Sequence, residues 1–482
     1  MNNTPSSDGT TGTVLALVLV LLTPLVSVAN EGDPPGRVAR VNLLEGSGAV
    51  QGAGAGAWFT DLLNRPLTIG DKLMIDSASR AELHVGSTAI RLAAQTSVEF
   101  LELGDRGERL GLSSGSVNLR VRVLGRDETV EIDTPSVAVR VLSPGEYRID
   151  VDSAKQLVTV GVIDGAAEVT GRTQDYRLEA QQQGSFAGDL DLTVSFADLS
   201  AADSFDTWAT LRDAHDDPLY AADRAPPEAT GYEDLNEDYG TWQETVDFGP
   251  VWIPQVPAGW MPYQVGRWLW VDPWGWTWQD AAPWGFAPFH YGRWIAIGST
   301  WAWSPGDLAV RPIYAPALVA WIDAHGSVAW VPLGAGEVYR PPYRASTAYA
   351  EALNAAATRN RAGGSVSNWK VPGAVAMQTA RGFAAGRPIT RRVAYPDTRG
   401  LKPASAPAAH APPSGSAALG AAQAESSRSP AAKNAASQRD AGQSASKSGR
   451  EPTKVRGIEP AEHPVQHAQQ PRQTTPPKPD TH

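Results

Sequence analysis

Val117-Asn118-Leu119-Arg120-Val121-Arg122-Val123 places an apolar side chain at every odd position and a polar one at every even position. That is the two-residue period of a strand with one buried face. The same alternation returns at 81–85, 130–132, 137–141, 147–151 and 157–162, with Gly, Asp, Ser and Pro between the runs. Short strands divided by turn residues predict a mainly β fold, and no helical period of useful length interrupts the region from 37 to 196.

Two motif matches inside this region carry no chemistry. Gly111-Leu112-Ser113-Ser114-Gly115 fits the nucleophile-elbow spacing, but an elbow needs a strand-to-helix turn that lifts the serine into the open. Here a strand follows, so Ser113 is expected to sit in a hairpin. The run Gly52-Ala53-Gly54-Ala55-Gly56-Ala57 lacks the Lys-Ser/Thr of a phosphate loop and the helix of a dinucleotide site, and it reads as a loop.

The ordered pieces GDKLMIDSASRAELHVGSTAIRLAAQTSVEF, LGLSSGSVNLRV, IDTPSVAVRVLSPGEYRIDV and VTVGVIDGAAEVTG resemble the periplasmic FecR-type domain, over about a third of the chain. The resemblance implies a rolled or helical β-domain over 38–196. In the sensors that name the family this domain follows a membrane segment and a cytoplasmic anti-sigma region. Only the residues before Val14 precede the hydrophobic run here, so a sigma-contacting part is not expected.

The region 239–345 is set apart by tryptophan: 14 of the chain's 17 fall between Trp242 and Trp330. Trp260-Met261-Pro262-Tyr263-Gln264-Val265-Gly266-Arg267-Trp268 aligns with Phe286-Ala287-Pro288-Phe289-His290-Tyr291-Gly292-Arg293-Trp294, 26 residues on, and a degenerate third unit runs from Tyr314 to Trp321. Repeats of this length predict stacked supersecondary units. Within a unit, 266–271, Asp272-Pro273-Trp274-Gly275 and 276–278 read as strand, turn and strand, with Trp268 and Trp270 able to pair across from Trp278 and Trp276. Together with YGTW at 239–242, VWIP at 251–254 and WVPLGAGEVYRPPY at 330–343, the module resembles a Trp/Pro-rich domain of unknown function that follows FecR-like domains in proteobacterial envelope proteins.

Two readings of the indoles compete: a core built from tryptophan, or an exposed stacking platform for sugars or peptide. The platform would comprise Trp260, Trp268, Trp270, Trp276, Trp278, Trp294, Trp301 and Trp303, with Arg267 and Arg293 supplying hydrogen bonds or cation–π contacts. His290 and His325 lack metal-ligand spacing and are expected to be structural.

Between these regions lies an acidic connector, 197–238. The spacing of Phe205, Trp208 and Leu211 predicts a short helix over 204–219, and the remainder reads as solvated linker. Asp213, His215, Asp216 and Asp217 carry the donors of a divalent-cation site, but their adjacent spacing does not share one helix face.

Val14–Val28 is an apolar run too short for a spanning helix, ending in Ser27-Val28-Ala29. It predicts a signal peptide over 1–29 cut after Ala29, with an uncleaved inner-membrane anchor as the alternative, since the residues before it carry no Lys or Arg. The absence of cysteine excludes disulfides, thiolate nucleophiles and Cys-ligated metals.

Basic residues number 18 against 8 acidic from position 351 on, and 23 against 44 before it. The part 346–400 is expected to be partly ordered, with 371–389 docking on the tryptophan module, and 401–482 to be a disordered basic tail able to meet an anionic surface. These features predict a periplasmic or secreted, non-catalytic scaffold or binding protein. A cell-wall glycan or envelope protein is its expected partner, with no cofactor, no metal, no nucleic acid and no transmembrane span after signal cleavage. An envelope sensor without its own anti-sigma region and an envelope glycan hydrolase are the alternatives.

Overall fold

The long strand Gly107–Val121 belongs to two sheets at once. Its second half pairs with Gly145–Asp152 on one side and Thr88–Leu92 on the other. From there an antiparallel sheet extends through Leu157–Asp164, Gln182–Ala187 and Thr193–Asp198 in one direction, and Arg80–Val85 and Ala39–Glu45 in the other. The first half pairs with Ser97–Gly104 and, in parallel, with Thr129–Asp133, and seeds a second sheet that includes Ala138–Val141 and Ala166–Thr170. The strand changes sheet at Gly115, whose φ of 89° and close approach to Thr96 admit no side chain. The glycine that completed the elbow-like motif is therefore a corner, and Ser113 lies within the strand, its hydroxyl donating to the Ser97 carbonyl at 3.3 Å.

The protein is mainly β, as the alternation predicted. This computed structural model describes residues 32–188, 191–220, 228–324, 326–358, 367–389 and 402–408. The expected signal segment 1–29, His325 and most of the tail 401–482 lie outside them. Val117, Leu119 and Val121 enter a core with Leu83, Ile90, Ile149 and Val160, the inward positions of facing strands. The predicted strands at 81–85, 130–132, 137–141, 147–151 and 157–162 all coincide with observed ones to within a residue or two.

Helix α1 (Ser204–Tyr220) is capped by Asp203. The Asp203 side chain accepts from the Phe205 and Asp206 amides at 2.7 and 3.0 Å, and Asp206 accepts in return from the Asp203 amide at 2.9 Å. Phe205 and Trp208 are buried and stacked at 5.9 Å. Leu211, expected on the same face, is 66% exposed. The face turned inward after Trp208 carries Arg212, Asp213 and Asp216, because the surface it meets is polar.

The tryptophan-rich region is four hairpins. Each has an indole pair facing across its strands: Trp242 with Trp252, Trp268 with Trp278, Trp294 with Trp303, and Trp321 with Trp330. Two of these hairpins were legible from the aligned repeat; the first leads them by the same 26 residues, from Trp242 to Trp268, and the last follows after 27, from Trp294 to Trp321. Gly240, Gly266 and Gly292 each precede the leading tryptophan by two residues, and a Cβ on them would fall 2.5, 2.6 and 2.8 Å from the ring of Trp252, Trp278 and Trp303. The missing side chain lets the partner indole lie flat against the strand. Ala376–Thr379 adds to the last hairpin, Phe383 packs on Trp276 at 4.3 Å, and Ile389 bridges to Gly266.

Replacing Gly292 with alanine tests this device. Its φ of 62° and the Trp303 ring both resist a methyl group, so a loss of about 2–4 kcal/mol is expected in chemical denaturation, whereas alanine at Gly298, which meets nothing within 4 Å, should cost less.

Candidate functional site

The ten residues that the sequence offered as a stacking platform divide sharply. Trp268, Trp276, Trp278, Trp294, Trp301 and Trp303 are buried in one aromatic core. Within it, Trp268 meets Trp278 at 5.4 Å and Trp330 at 5.2 Å, edge to face. Rings held this way cannot present a face to a sugar. Trp260 and Trp270 are half-buried at the margin of the same cluster.

Neither arginine serves as a free donor. Arg293 is buried, donating to the Glu337 carbonyl at 3.1 Å, to Gly292 at 2.8 Å and to Asn354 Oδ1 at 3.0 Å; burial lowers it to about 10. Arg267 pairs with Asp61 at 2.9 Å and donates to Gln279 at 2.7 Å. His290 is fully buried, with Nδ1 2.8 Å from the Ala315 carbonyl, and burial lowers it to about 3: a neutral structural histidine.

The largest concentration of perturbed ionisable groups lies where the two β regions and helix α1 meet. Arg40, with no exposed surface, pairs with Glu233 at 3.1 Å and with Asp234, and donates to Asn64 Oδ1 at 2.9 Å and the Pro283 carbonyl at 2.7 Å. His84 lies between Glu233, 3.0 Å from Nδ1, and Glu82, 3.3 Å from Nε2, with Asp216 at 3.6 Å. Arg91 and Arg212 each reach Glu82 at 2.8 Å, and Arg91 also takes Asp213 at 2.8 Å. Residues 229–236, read in sequence as solvated linker, are thus buried, Thr230, Glu233, Asp234 and Asn236 among them, because they supply the acids and hydrogen bonds that these cations require, while Glu237 and Asp238 stay exposed.

The ionisation states follow from these contacts. Burial alone would lower the His84 imidazole, but the carboxylates of Glu233 and Glu82 outweigh it and raise it to about 10. Burial would raise Glu233, and the His84 charge overrides this and holds it at about 2. Asp234 rises to about 6 because burial is only partly offset by Arg40.

Glu82, His84 and Asp216 offer donor atoms within 4.8 Å of one another, the geometry of a metal trio. The two His84 nitrogens also lie 3.0 and 3.3 Å from the Glu233 and Glu82 carboxylates, contacts that favour a protonated ring over a metal ligand at this place. Of the four cation-site candidates, Asp213, Asp216 and Asp217 meet arginines instead, Arg122 reaching Asp217 at 2.8 Å and Arg120 reaching it at 3.0 Å. His215 lies against Asp216 at 2.8 Å. No sequence period announced this network, since its members are scattered from 40 to 234.

A second feature is an open groove of about 540 Å3 between the second and fourth hairpins, walled by Trp270, Trp276, Trp321, Arg340 and Pro342. Trp270 and Trp276 meet there at 5.5 Å, edge to face. Sequence reasoning had singled out these two, but not Trp321 or the Arg340-Pro341-Pro342 run.

The profile of a family of unknown function (DUF6600) matches residues 232–337, the tryptophan hairpins and the short acidic segment leading into them. Two crystal structures of a "putative anti-sigma factor" from Parabacteroides distasonis ATCC 8503 align at 15% and 14% identity with a TM-score of 0.25. The alignments cover 27% of this chain and 60% of the length of those chains, a likeness too slight to carry an argument about fold or role. No curated protein matches. Among the described residues, no helix is long and apolar enough to cross a membrane.

Truncating Arg40 to alanine leaves Glu233 and Asp234 buried without their cation, and should cost about 3–5 kcal/mol in chemical denaturation. His84 also sets a pH dependence. Its folded pKa lies above the ordinary value of 6.5, so its contribution is complete below that value and is lost as pH rises through about 10. Between pH 7 and 10 stability should fall by up to about 1.4 kcal/mol per unit, and the slope should flatten in His84→Gln.

Proposed function

We propose that the protein is a non-catalytic scaffold or binding protein of the cell envelope, built from a FecR-like β-domain fused to a tryptophan-hairpin module. The observation that carries this reading is the buried network centred on Arg40 and His84. It commits the strongly perturbed carboxylates Glu82, Glu233 and Asp234 to holding the two β regions and helix α1 together. Perturbed acids in an enzyme line a cleft where substrate can reach them. These are sealed between packed elements.

The strongest opposing candidate is Glu108, which burial raises to about 7 and which lies 3.8 Å from Arg37 beside Glu128. The cavity it borders holds about 90 Å3, well below the roughly 300–1,000 Å3 of small-molecule sites. That supports a structural acid rather than a general acid for glycan cleavage. The exported location rests on the apolar segment 14–28 and the small residues before Asn30.

Two measurements test the reading. In the native host the mature chain should begin at Asn30 and fractionate with the envelope; a cytoplasmic chain retaining its first residues would overturn the location. The purified full chain should release no reducing ends from peptidoglycan, and Glu108→Gln should change only stability. Because the folded pKa of Glu108 is raised, its favourable contribution is present below about 4.5 and is lost as pH rises through 7. The variant should therefore gain on the wild type at pH 8 relative to pH 5. Sugar release abolished by Glu108→Gln would establish an enzyme instead.

A further inference from the structure

We propose that the groove beside Trp270, Trp276 and Trp321 is a binding site for extended, proline-containing peptide, and that the chain's own residues 402–408 occupy it as a built-in strand. The first observation is a sheet edge in use. Strand Val319–Ala324 pairs on one side with Ser327–Pro332. On its other side Ile322 bridges antiparallel to Pro403, the Asp323 amide donates to the Lys402 carbonyl at 3.1 Å, and the Ala404 amide donates to the Trp321 carbonyl at 2.9 Å. In this register the two hydrogen bonds flank the bridge, so the position taken by Pro403 is the one where a backbone N–H would point away from the strand. Proline costs nothing there, and it would cost a bond at 404.

The second observation is what the segment does after the bridge. Ala404–Ala408 runs along the groove facing Trp270, Trp276, Trp321, Arg340 and Pro342. Ala406 and Pro407 are half-buried, whereas 402–405 stay exposed. Their side chains are small, and about 540 Å3 remains open beside them.

A backbone edge that adds a strand and an aromatic wall against which proline packs combine two recurring ways of recognising extended peptide. The inference deepens the binding-protein reading by naming the ligand class, and does not depend on the compartment. The ligand is a segment of another polypeptide with the Ala/Pro character of 402–408, which must displace the strand already present. Because that strand is tethered, it competes at high effective concentration and masks the site in the intact chain.

The test uses full-length protein and a fluorescein-labelled peptide of the sequence of residues 402–408. Ala404→Pro removes the amide that donates to Trp321 and lies outside the hairpins, so the fold should be retained. It should bind the peptide at least about tenfold more tightly than the wild type, and adding Trp270→Ala should abolish the gain. Hydrogen exchange supplies an independent readout: the Asp323 amide should be protected in the wild type and exchange freely in Ala404→Pro. Peptide binding no tighter in Ala404→Pro, or unaffected by Trp270→Ala, would overturn the proposal, as would a wild-type Asp323 amide that exchanges freely. Displacement of bound peptide by a chito-oligosaccharide would make the groove a glycan site and overturn it equally. A chain that fails these tests while still fractionating with the envelope and releasing no sugar would fail this proposal alone.

Discussion

Arg40 and His84 are buried cations, and a buried cation demands a carboxylate close by. Taking either from water costs several kcal/mol unless its field is matched at short range and its remaining protons are hydrogen-bonded. Glu233 and Asp234 meet that demand from one side, Glu82 from His84's own strand, and Asp216 from helix α1. The acids come from three separate stretches of chain, so the cations are satisfied only when all three are in place. An ion network of this kind adds little net stability over an apolar core. It penalises every arrangement in which the helix or the second β region is elsewhere.

The same junction is reinforced by neutral hydrogen bonds that depend on backbone position. Asn64 accepts from Arg40 and donates to the carbonyls of Asp280 and Ala282 at 3.1 and 2.6 Å, and Gln279 donates to the Leu63 carbonyl at 2.6 Å. The turn at 61–65 and the end of the second tryptophan hairpin are thereby read against each other. The outer face of the first sheet illustrates the consequence. Asn118 and Arg91 lie on its polar side, yet both have no exposed surface, because helix α1 brings a charged face to cover them.

The tryptophan hairpins solve a different problem. Each is too small to bury a core of its own, and four stacked units pool their indoles into one aromatic cluster in which edge-to-face contacts recur. Glycine two residues before the leading tryptophan is the local condition for that packing in the first three units. The fourth has Val319 at this place, and the outer edge of its first strand takes residues 402–404. Two half-buried indoles, Trp270 and Trp321, border the groove beside this strand, and recognition is assigned to that groove and not to the tryptophan content as a whole.

Much of this was legible in the sequence. The alternation at 117–121 fixed a half-buried strand, the spacing of 204–219 fixed a helix, and the aligned Gly-Arg-Trp units fixed hairpins with Trp268 opposite Trp278 and Trp294 opposite Trp303, because strand and helix periods and turn residues act over short stretches of chain. Whether an indole ended as core or surface was not a local property. Trp268 and Trp270 sit two residues apart on one strand; one is sealed by Trp321, Trp330 and Phe383, and the other borders the groove. Likewise Glu233 and Asp234 stand in a stretch with the composition of a solvated linker, and only the approach of Arg40 and His84, from about 190 and 150 residues away, makes their burial favourable. Composition and period determined the elements; the partner that meets each side chain, and so its charge state and exposure, was decided by long-range packing, since desolvation depends on what surrounds a group rather than on its neighbours in sequence.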